Sequence, residues 1–392
     1  MPRAEFTQKI YEATPKKLLS MADLLSMTVV LGASDLHLAS GRPPRFRLGS
    51  NILPYNLAAD LKEAGKKHEV FALVPEDTTR KLLYCLFEGE DERMLGANKR
   101  LDLSVSTDKA RFRVNVGFGE GGLDATFRVI PYNIREAYKL GFPNDTWRKI
   151  IEEKQGLILV TGVTNSGKST TLASLLQEIG RKRYVKIITV EDPIEYAFRD
   201  DKAMFIQREL GRDTLSFADA VKYSLRQNPD ILMVGEIRDQ ETVQQTIVAA
   251  QTGHLVFSTL HTSNAIGSIE RLVDLFPEGR KGEIRHSLTD NLKYVLSQEL
   301  VPYDKAVEDR VLAMEIMVVT NPIRNLIREG KTEQLRSYIQ SGFREGSITM
   351  EAHLGLLYKD EKVSEEAAMH YARDRQDMKR IIEQAKKERE RH

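Results

Sequence analysis

Residues 162–169 read G-V-T-N-S-G-K-S and fit the pattern G-x-x-x-x-G-K-[ST]. A short apolar run at residues 156–160 comes directly before this segment, and a helical pattern at residues 170–179 follows it. A strand, a glycine-rich turn and a helix in this order form a phosphate cradle, because backbone N–H groups converge on the anion and the helix adds its positive N-terminal end. The segment therefore predicts a nucleotide site in a parallel α/β domain.

The side chains of this segment indicate what it binds. Lys168 places a positive charge between the β- and γ-phosphates of a nucleotide, and the hydroxyl of Ser169 is suited to ligate Mg²⁺. ATP and Mg²⁺ are therefore the expected cofactors. We predict that the nucleotide is bound by Gly162, Val163, Thr164, Asn165, Ser166, Gly167, Lys168, Ser169 and Thr170.

Two acidic residues follow further strand patterns. Residues 186–190 and 231–234 are typical of buried strands; Glu191 follows the first directly, and Glu236 follows the second after one glycine. Because open α/β sheets bind ligands at the carboxyl ends of their strands, both acids are expected near the phosphate cradle. Glu236 is, with Ser169, the expected ligand of Mg²⁺. The residues alone leave open whether Glu191 or Glu236 activates the attacking water.

A histidine and three arginines are weaker candidates. His261 ends a strand pattern that begins at residue 254, where it fits either a sensor of the γ-phosphate or a structural histidine. Arg111, Arg113 and Arg128 lie on two alternating segments that together predict a β-hairpin. Arginines on the exposed face of a hairpin are most often solvated, so these three bear on the chemistry only if the hairpin faces a nucleotide.

The composition excludes several classes of function. The 392 residues carry 58 Lys and Arg against 57 Asp and Glu, which gives a formal net charge of +1. This balance supplies no overall field for an anionic polymer, so no direct nucleic-acid binding is expected. Cys85 is the single cysteine, which excludes an intrachain disulfide and a four-cysteine zinc site and favours the reducing cytoplasm. No apolar run approaches the roughly 20 residues of a membrane-spanning helix.

The order of the patterns predicts two domains. Residues 1–130 form a mixed α/β pattern, residues 131–141 lack a sustained period and are expected to be a linker, and residues 142–392 alternate strands with helices. From about residue 279 the pattern is mostly helical. Its last stretch, residues 364–392, is rich in Lys, Arg and Glu and is typical of a solvated helix.

These elements, in this order, resemble the secretion-superfamily ATPases of type II secretion, type IV pili and type IV secretion, the PilT- and GspE-like motors. The resemblance runs from Gly32 to about Glu366. Besides the phosphate cradle, it is carried by G-A-S-D-L-H-L at 32–38, R-F-R-V-N at 111–115, I-T-V-E-D-P-I-E-Y at 188–196, L-R-Q-N-P-D at 225–230, V-G-E-I-R-D at 234–239, T-G-H at 252–254, L-H-T at 260–262 and N-P-I-R-N-L-I-R-E-G-K at 321–331.

The resemblance implies a PAS-like N-terminal domain and a RecA-like P-loop ATPase domain with a helical C-terminal region, assembled as a ring of six. It implies that Glu191 and Glu236 activate water and organise Mg²⁺, and that Arg113 and Arg128 of the first domain reach the phosphates, with Arg111 a less direct match. The expected catalytic residues are then Glu191, Glu236, Lys168, His261, Arg113 and Arg128.

The function implied by the resemblance is a hexameric, Mg²⁺-dependent ATPase that powers a type IV secretion, conjugation or type IV pilus machine. Such a motor is expected in the cytoplasm, attached peripherally to the inner membrane through components of that machine. Two alternatives stay open. One is a nucleotide-gated assembly scaffold with little turnover, and the other is a DNA-handling RecA-like motor, which needs a basic track.

Two departures from the family pattern bear on the branch. Asn165 stands where pilus motors usually carry glycine, at a position that the pattern leaves free. The chain also lacks the four-cysteine zinc insert found in some secretion and pilus-extension ATPases, since it has one cysteine. The whole resembles most the DotB/TraJ group of type IVB secretion and conjugation motors.

Overall fold

The computed structural model describes residues 4–49, 51–62, 67–302 and 310–389. The chain separates into two units, Met1–Asn133 and Ile134–His392, and each has its own sheet and its own hydrophobic core. The predicted fold class is confirmed, because both units mix helices and strands and the second combines a largely parallel sheet with a helical C-terminal region. The domain boundaries at residues 130 and 141 stay a prediction.

In the part of the chain described, the first unit pairs six strands in an antiparallel sheet, in the order β5-β4-β3-β8-β7-β6, beside the small hairpin β1-β2. The strands are β1 (Tyr11–Thr14), β2 (Lys17–Leu19), β3 (Asp35–Ala39), β4 (Arg45–Leu48), β5 (Asn51–Pro54), β6 (Arg100–Ser106), β7 (Ala110–Gly119) and β8 (Gly122–Pro131). The helices are α1 (Met21–Leu31), α2 (Tyr55–Lys62), α3 (Glu76–Tyr84) and α4 (Asp91–Asn98).

Two residues define the ends of α1. The Asp23 N–H donates to Ser20 Oγ (3.1 Å) and the Ser20 N–H donates to Asp23 Oδ2 (2.8 Å), which is a capping box. Gly32 ends the helix in the left-handed conformation, with φ of 70°. The helical pattern in the sequence begins at Leu18, but Leu18 and Leu19 belong to β2 because the cap starts the helix only after Ser20.

The predicted hairpin is β7 and β8. The alternating apolar side chains of β7 are buried, as the period of two predicts. The sequence pattern predicts a turn over residues 117–122, but the strands pair as far as Gly119 and Gly122, so only residues 120 and 121 remain in the turn. Arg113 and Arg128 are directly paired across this hairpin.

The second unit is built on a sheet with the strand order β11-β10-β12-β13-β9-β14-β15. The strands are β9 (Gly156–Thr161), β10 (Lys186–Glu191), β11 (Met204–Glu209), β12 (Ile231–Val234), β13 (Leu255–Leu260), β14 (Leu292–Pro302) and β15 (Arg310–Val318). All neighbouring pairs are parallel except β14 with β15, which is antiparallel.

Helices cover this sheet. They are α5 (Thr146–Glu152), α6 (Lys168–Lys182), α7 (Phe217–Ser224), α8 (Gln240–Gln251), α9 (Ala265–Asp274), α10 (Glu278–Asn291), α11 (Asn321–Glu329), α12 (Leu335–Ser341), α13 (Met350–Lys359), α14 (Glu365–Tyr371) and α15 (Arg375–Arg389). Within the described ranges, no helix is long and apolar enough to cross a membrane.

The central strand β9 is buried on both faces. Leu157 and Leu159 belong to one core cluster, whereas Ile158 and Val160 belong to the cluster on the opposite face. A parallel sheet needs this double cover because its crossover helices lie on both sides. The result is a continuous apolar strand that carries the phosphate cradle at its end.

The region beyond residue 277 contains two strands that its sequence pattern does not reveal. The pattern predicts mostly helix, yet α10 is followed by the long antiparallel pair β14 and β15. The strand signal of β14 is interrupted by Ser297 and Gln298, which are polar but fully buried because they bond to the phosphate cradle and to β9. Edge strand β11 is missed for a related reason, since its sequence M-F-I-Q-R-E turns polar after three residues.

The C-terminal helix α15 is packed against the unit. Met378, Ile382 and Ala385 lie on one face and are buried with residues of α13 and α14, while Lys, Arg and Glu occupy the other face. This corrects the expectation of a solvated helix, because one face of α15 is buried. The charged face dominates the composition and hides the buried stripe.

The packing of α13 against this cluster gives a stability prediction. Leu354→Ala is expected to lower the free energy of unfolding by about 2–5 kcal/mol, because Leu354 is fully buried and its loss leaves a cavity. The matched control Leu356→Ala, on the exposed side of the same helix, is expected to cost less than about 1 kcal/mol. Urea unfolding followed by the fluorescence of Trp147, which is the single tryptophan, measures both. Equal losses would contradict the packing.

Candidate nucleotide-binding site

The site residues predicted on the second unit lie at the ends of four neighbouring strands. In the sheet, β10, β12, β13 and β9 are adjacent and parallel. Glu191 is the last residue of β10, Glu236 follows β12 after one glycine, His261 follows β13 directly, and the cradle at residues 162–169 follows β9. Strands that are far apart in sequence therefore deliver all four elements to one edge of the sheet.

A cavity of about 380 Å³ opens at this edge. Lys168, Ser169, Glu191, Glu236 and His261 line it together with residues 164–167 and Thr170. Gly162 and Val163 are not among the lining residues, but their carbonyl oxygens accept hydrogen bonds from Lys168 Nζ at 2.8 and 2.9 Å. Their predicted contact with nucleotide stays a prediction.

The first glycine of the cradle is required by close packing against β14. Gly162 has a φ of 149°, and a Cβ atom there would lie 2.4 Å from the carbonyl oxygen of Gln298. The same Gln298 donates from Nε2 to the carbonyl oxygen of Ser166 (2.8 Å). Strand β14 thus supports the cradle through the contacts of Gln298 with Gly162 and Ser166, which the sequence did not reveal.

Asn165 has a left-handed backbone, with φ of 64°. Asparagine is one of the few residues other than glycine that adopt this conformation readily. The motif therefore allows different side chains at residue 165, but the backbone there must adopt the left-handed conformation. The departure from glycine keeps the shape of the loop and adds an amide side chain that lines the cavity.

Glu191 is buried, and in the described part of the chain its carboxylate accepts hydrogen bonds from neutral side chains. Its Oε1 accepts hydrogen bonds from Thr189 Oγ1 (2.6 Å) and from Gln207 Nε2 (3.1 Å). Burial raises the pKa of the Glu191 carboxyl to about 7, against the lowering effect of these hydrogen bonds. A carboxyl that titrates near neutrality has the proton affinity that a general base needs.

Glu236 lies in a charged environment. Arg238 Nε donates to its Oε1, and Arg238 Nη1 lies 3.2 Å from Asp192 Oδ2. His261 Nε2 lies 3.3 Å from Glu236 Oε2. Burial, assisted by the positive charges of Lys168 and Arg238, lowers the pKa of His261, which favours a neutral ring.

Three residues that contact the site were not singled out from the sequence: Arg238, Gln207 and Tyr196. Arg238 stands two residues after Glu236, so the motif around Glu236 contained the signal. Gln207 lies on β11, and Tyr196 Oη is hydrogen-bonded with Thr170 Oγ1 at 2.8 Å. Gln207 is 16 residues from Glu191, and Tyr196 is 26 residues from Thr170, so neither contact follows from a local sequence pattern.

A second cavity of about 600 Å³ shares Gly167, Thr170, Leu300 and Arg310 with the first. Its apolar wall includes Leu140, Phe142, Pro143, Leu312 and Leu357. His353 also lines it and accepts the N–H of Met314 at Nδ1 (2.8 Å), while burial lowers its pKa to about 4. The ring is therefore neutral, with its proton on Nε2.

The three arginines predicted on the first unit lie on β7 and β8. Arg128 Nε lies 2.9 Å from Oδ1 of Asp35, a buried carboxylate that also has Arg47 at 3.5 Å. Arg113 Nη2 lies 3.9 Å from Asp102 Oδ1. Their predicted approach to the phosphates, and the weaker match of Arg111, stay predictions.

The donor set fits a magnesium ion that is held together with a nucleotide. Within residues 4–49, 51–62, 67–302 and 310–389, no group of three or more His, Cys, Asp and Glu side chains is placed to hold a metal by itself. Mg²⁺ at phosphate sites needs only one or two protein oxygens, because phosphates and water supply the others. The Ser169 hydroxyl and the Glu236 carboxylate, which line the same cavity, match this requirement.

Comparison with known proteins places the chain among pilus and secretion ATPases. Residues 88–389 match the family described as type II/IV secretion system protein. The chain is 39% identical to the type IV pilus retraction ATPase PilT of Pseudomonas aeruginosa, over 91% of this chain and 98% of that protein. It is 31% identical to the type IV pilus ATPase PilU of the same organism, over 92% of this chain and 90% of that protein.

Solved structures show the same fold. The pilus retraction motor PilT with bound ADP has a TM-score of 0.79 and 41% identity, covering 91% of this chain and 98% of that one. The ATPase DotB of Legionella pneumophila has a TM-score of 0.71 and 27% identity, covering 89% of this chain and 93% of that one. The predicted superfamily is thus confirmed: the chain belongs to the type II/IV secretion system protein family and is an ATPase of that superfamily.

Proposed function

We propose that this protein is a Mg²⁺-dependent ATPase that works as a ring of six and powers a type IV pilus or type IV secretion machine. The proposal rests on the observation that one cavity is lined by all five of the following residues: Lys168, Ser169, Glu191, Glu236 and His261. These are the groups that phosphoryl transfer to water requires: a cation on the phosphates, metal ligands, a base and a polar group near the γ-phosphate. Relatives named as pilus ATPases support the choice of machine.

In this proposal Lys168 and the backbone of residues 164–167 hold the β- and γ-phosphates of ATP. Ser169 and Glu236 hold Mg²⁺, which when bound supplies charge neutralisation on the phosphate oxygens. His261, kept near Glu236, contacts the γ-phosphate as its sensor. Lys168 is already buried and hydrogen-bonded to the carbonyl oxygens of the turn, so little side-chain freedom remains to be lost when a phosphate binds.

Glu191 is the better candidate for the base that activates water. Its carboxyl is buried with neutral hydrogen-bond donors, and its raised pKa favours proton uptake. Glu236 is instead engaged by Arg238 and by His261, an arrangement suited to orienting a ligand carboxylate. The two acids that the sequence could not rank therefore receive different roles.

The second cavity is proposed to take the nucleobase. This cavity is lined at one end by Gly167 and Thr170, where α6 follows the cradle, and its apolar wall suits a flat ring. His353 offers one neutral N–H donor in that wall, which suits an acceptor nitrogen of adenine.

The remaining parts of the proposal concern assembly. Arg113 and Arg128, on the hairpin of the domain at residues 1–130, are proposed to reach the phosphates and to couple hydrolysis to movement between the domains, joined by a linker at residues 131–141. Docking is through inner-membrane components of the machine, with the ring on the cytoplasmic side and without direct nucleic-acid binding. The higher identity to PilT than to DotB favours a pilus motor over the DotB/TraJ branch.

Substitution of the two acids tests their roles. Glu191→Gln is expected to lower kcat by about 10²–10⁴-fold with nucleotide binding retained, because the base is lost. Glu236→Gln is expected to raise the Mg²⁺ concentration that gives half the maximal rate. Phosphate release and binding of a fluorescent nucleotide measure these effects, with Glu195→Gln, in the same cavity, as the matched control. Wild-type turnover in both variants would refute the assignment.

Burial of Glu191 also predicts how stability depends on pH. Its folded pKa of about 7 lies above the ordinary value of 4.5, so the stability contributed by the neutral form is complete below pH 4.5 and is lost as the pH rises to 7. The loss is about 3 kcal/mol, and Glu191→Gln removes it. Urea unfolding at pH 5 and pH 8, followed by Trp147 fluorescence, should show a smaller difference for the variant than for the wild type. An unchanged difference would contradict the burial argument.

A ring predicts cooperative activity. The ATPase rate per protomer is expected to rise cooperatively with protein concentration, because a neighbouring subunit completes the site, with Lys168→Ala as the blank. Light scattering on the same samples reports the oligomer. An active monomer would overturn the ring and leave a self-contained P-loop hydrolase; negligible turnover in the assembled state would favour the nucleotide-gated scaffold; and salt-dependent DNA binding would favour the DNA-handling motor.

A further inference from the structure

The segment between α14 and α15 reaches back to the loop that carries His261. This segment includes Arg373, whose Nη1 lies 2.8 Å from Glu315 Oε2 and whose Nη2 donates to the carbonyl oxygen of Ser263. Ser263 lies two residues after His261. A residue near the C-terminus therefore contacts the loop of the γ-phosphate sensor directly.

Glu315 makes the contact two-sided. Its Oε2 faces Arg373, and its Oε1 accepts the N–H of Ala265 (2.9 Å), the first residue of α9. The loop at residues 261–264 is thus held at its end through Glu315 and within its length through Ser263. Both charged side chains are largely buried, at 18% exposure for Arg373 and 10% for Glu315.

The base of the Arg373 side chain is fixed as well. The N–H groups of Arg373 and Asp374 both donate to Glu351 Oε1 at 2.8 Å, and Glu351 is buried on α13. The guanidinium group therefore extends from an anchored backbone rather than from a free tail. A movement of α14 or α15 would carry this group with it.

Arg373 and Lys168 of the phosphate cradle both act on the carboxyl group of Glu299. Burial raises the pKa of Glu299, while the charges of Arg373 and Lys168 act to lower it, so this one carboxyl senses both cations. The buried ion pair between Arg373 and Glu315 adds little net stability, because the cost of removing both charges from water offsets their attraction. The pair instead fixes geometry, since both partners are hydrogen-bonded to the same loop.

We propose that Arg373 is a positioning residue, which fixes the loop of His261 through Ser263 and Glu315 and thereby couples α14 and α15 to the nucleotide site. The inference rests on the role given to His261 in the proposed function. A partner that displaces these helices would change the hydrolysis rate without touching the nucleotide.

The test compares variants that separate position from stability. Arg373→Ala leaves Glu315 buried without its partner, so this variant loses both the position of the loop and the stability of the fold. The double variant Arg373→Met with Glu315→Gln removes both charges, while the glutamine still accepts the Ala265 N–H. For the double variant we expect kcat to fall about tenfold or more, with KM and fluorescent ADP binding within about threefold of the wild type and the unfolding midpoint near the wild type. Arg373→Lys should recover part of kcat.

Two further variants make the result specific. Arg336→Ala removes ion pairs to Glu351 and Asp374 in the same region but leaves the Ser263 contact. It should therefore lower the unfolding midpoint, while its kcat falls less than that of the double variant. His261→Asn should lower kcat, and adding Arg373→Met with Glu315→Gln to it should lower kcat no further, because both act through one loop.

Each adverse result has a definite meaning. Wild-type kcat in the double variant, or an equal fall of kcat in Arg336→Ala, overturns the positioning role while the proposed function stands. Wild-type kcat in His261→Asn overturns both the positioning role and the part of the proposed function that depends on His261.

Discussion

The site depends above all on the parallel, in-register pairing of β10, β12, β13 and β9. Val190 is paired with Val234, Val234 with Ser258, and Ser258 with Leu159, so the strand ends align within a residue or two. Side chains alternate along a strand with a rise of about 3.3 Å per residue. A slip of one residue in β10 would move Glu191 by that distance and turn it to the opposite face of the sheet. The hydrophobic core on both faces prevents such a slip, and thus the same apolar burial that stabilises the sheet also sets the positions of the polar groups.

The two acids show how one sheet edge gives similar side chains different chemistry. Glu191 lies one residue deeper, within β10, where it is largely buried and accepts hydrogen bonds from the neutral side chains of Thr189 and Gln207. Glu236 lies beyond the end of β12, where Arg238 and His261 can approach. The difference in position is small, but the local dielectric and the nearby charges differ greatly. The separate roles proposed for Glu191 and Glu236 rest on this difference in environment and not on residue type.

Much of this arrangement was readable from the sequence because its signals are local. The cradle, Glu191, Glu236 and His261 each follow an apolar run, so a strand and the polar group at its end could be recognised together. Their mutual proximity followed from the rule that parallel strands share a carboxyl edge. The resemblance to the superfamily then predicted an α/β fold with a helical C-terminal region, and the structure has this fold.

What the sequence did not reveal is carried by contacts between distant segments. Gln207 reaches Glu191 from an edge strand, and Arg373 reaches Ser263 across 110 residues. The two strands after α10 were hidden because the inward-facing residues of β14 are partly polar, which breaks the apolar pattern. The raised pKa of Glu191 could not be predicted from the sequence either, since its largest cause is burial, which is a property of the tertiary structure. Local sequence patterns therefore located the candidate site residues, and only the tertiary structure showed which contacts hold them.

The close approach of Gly162 to β14 has a consequence for the synthesis of the chain. The backing of the phosphate cradle comes from Gln298, which the ribosome adds well over a hundred residues later, and the hydrogen bond from Gln298 to Ser166 spans 132 positions. Domains generally fold as units during synthesis, and contacts between distant residues form late. A nascent chain that ends before β14 would carry the complete phosphate-binding motif without its rear support. The capacity to retain a nucleotide should thus arise only after β14 has been synthesised and has left the ribosome.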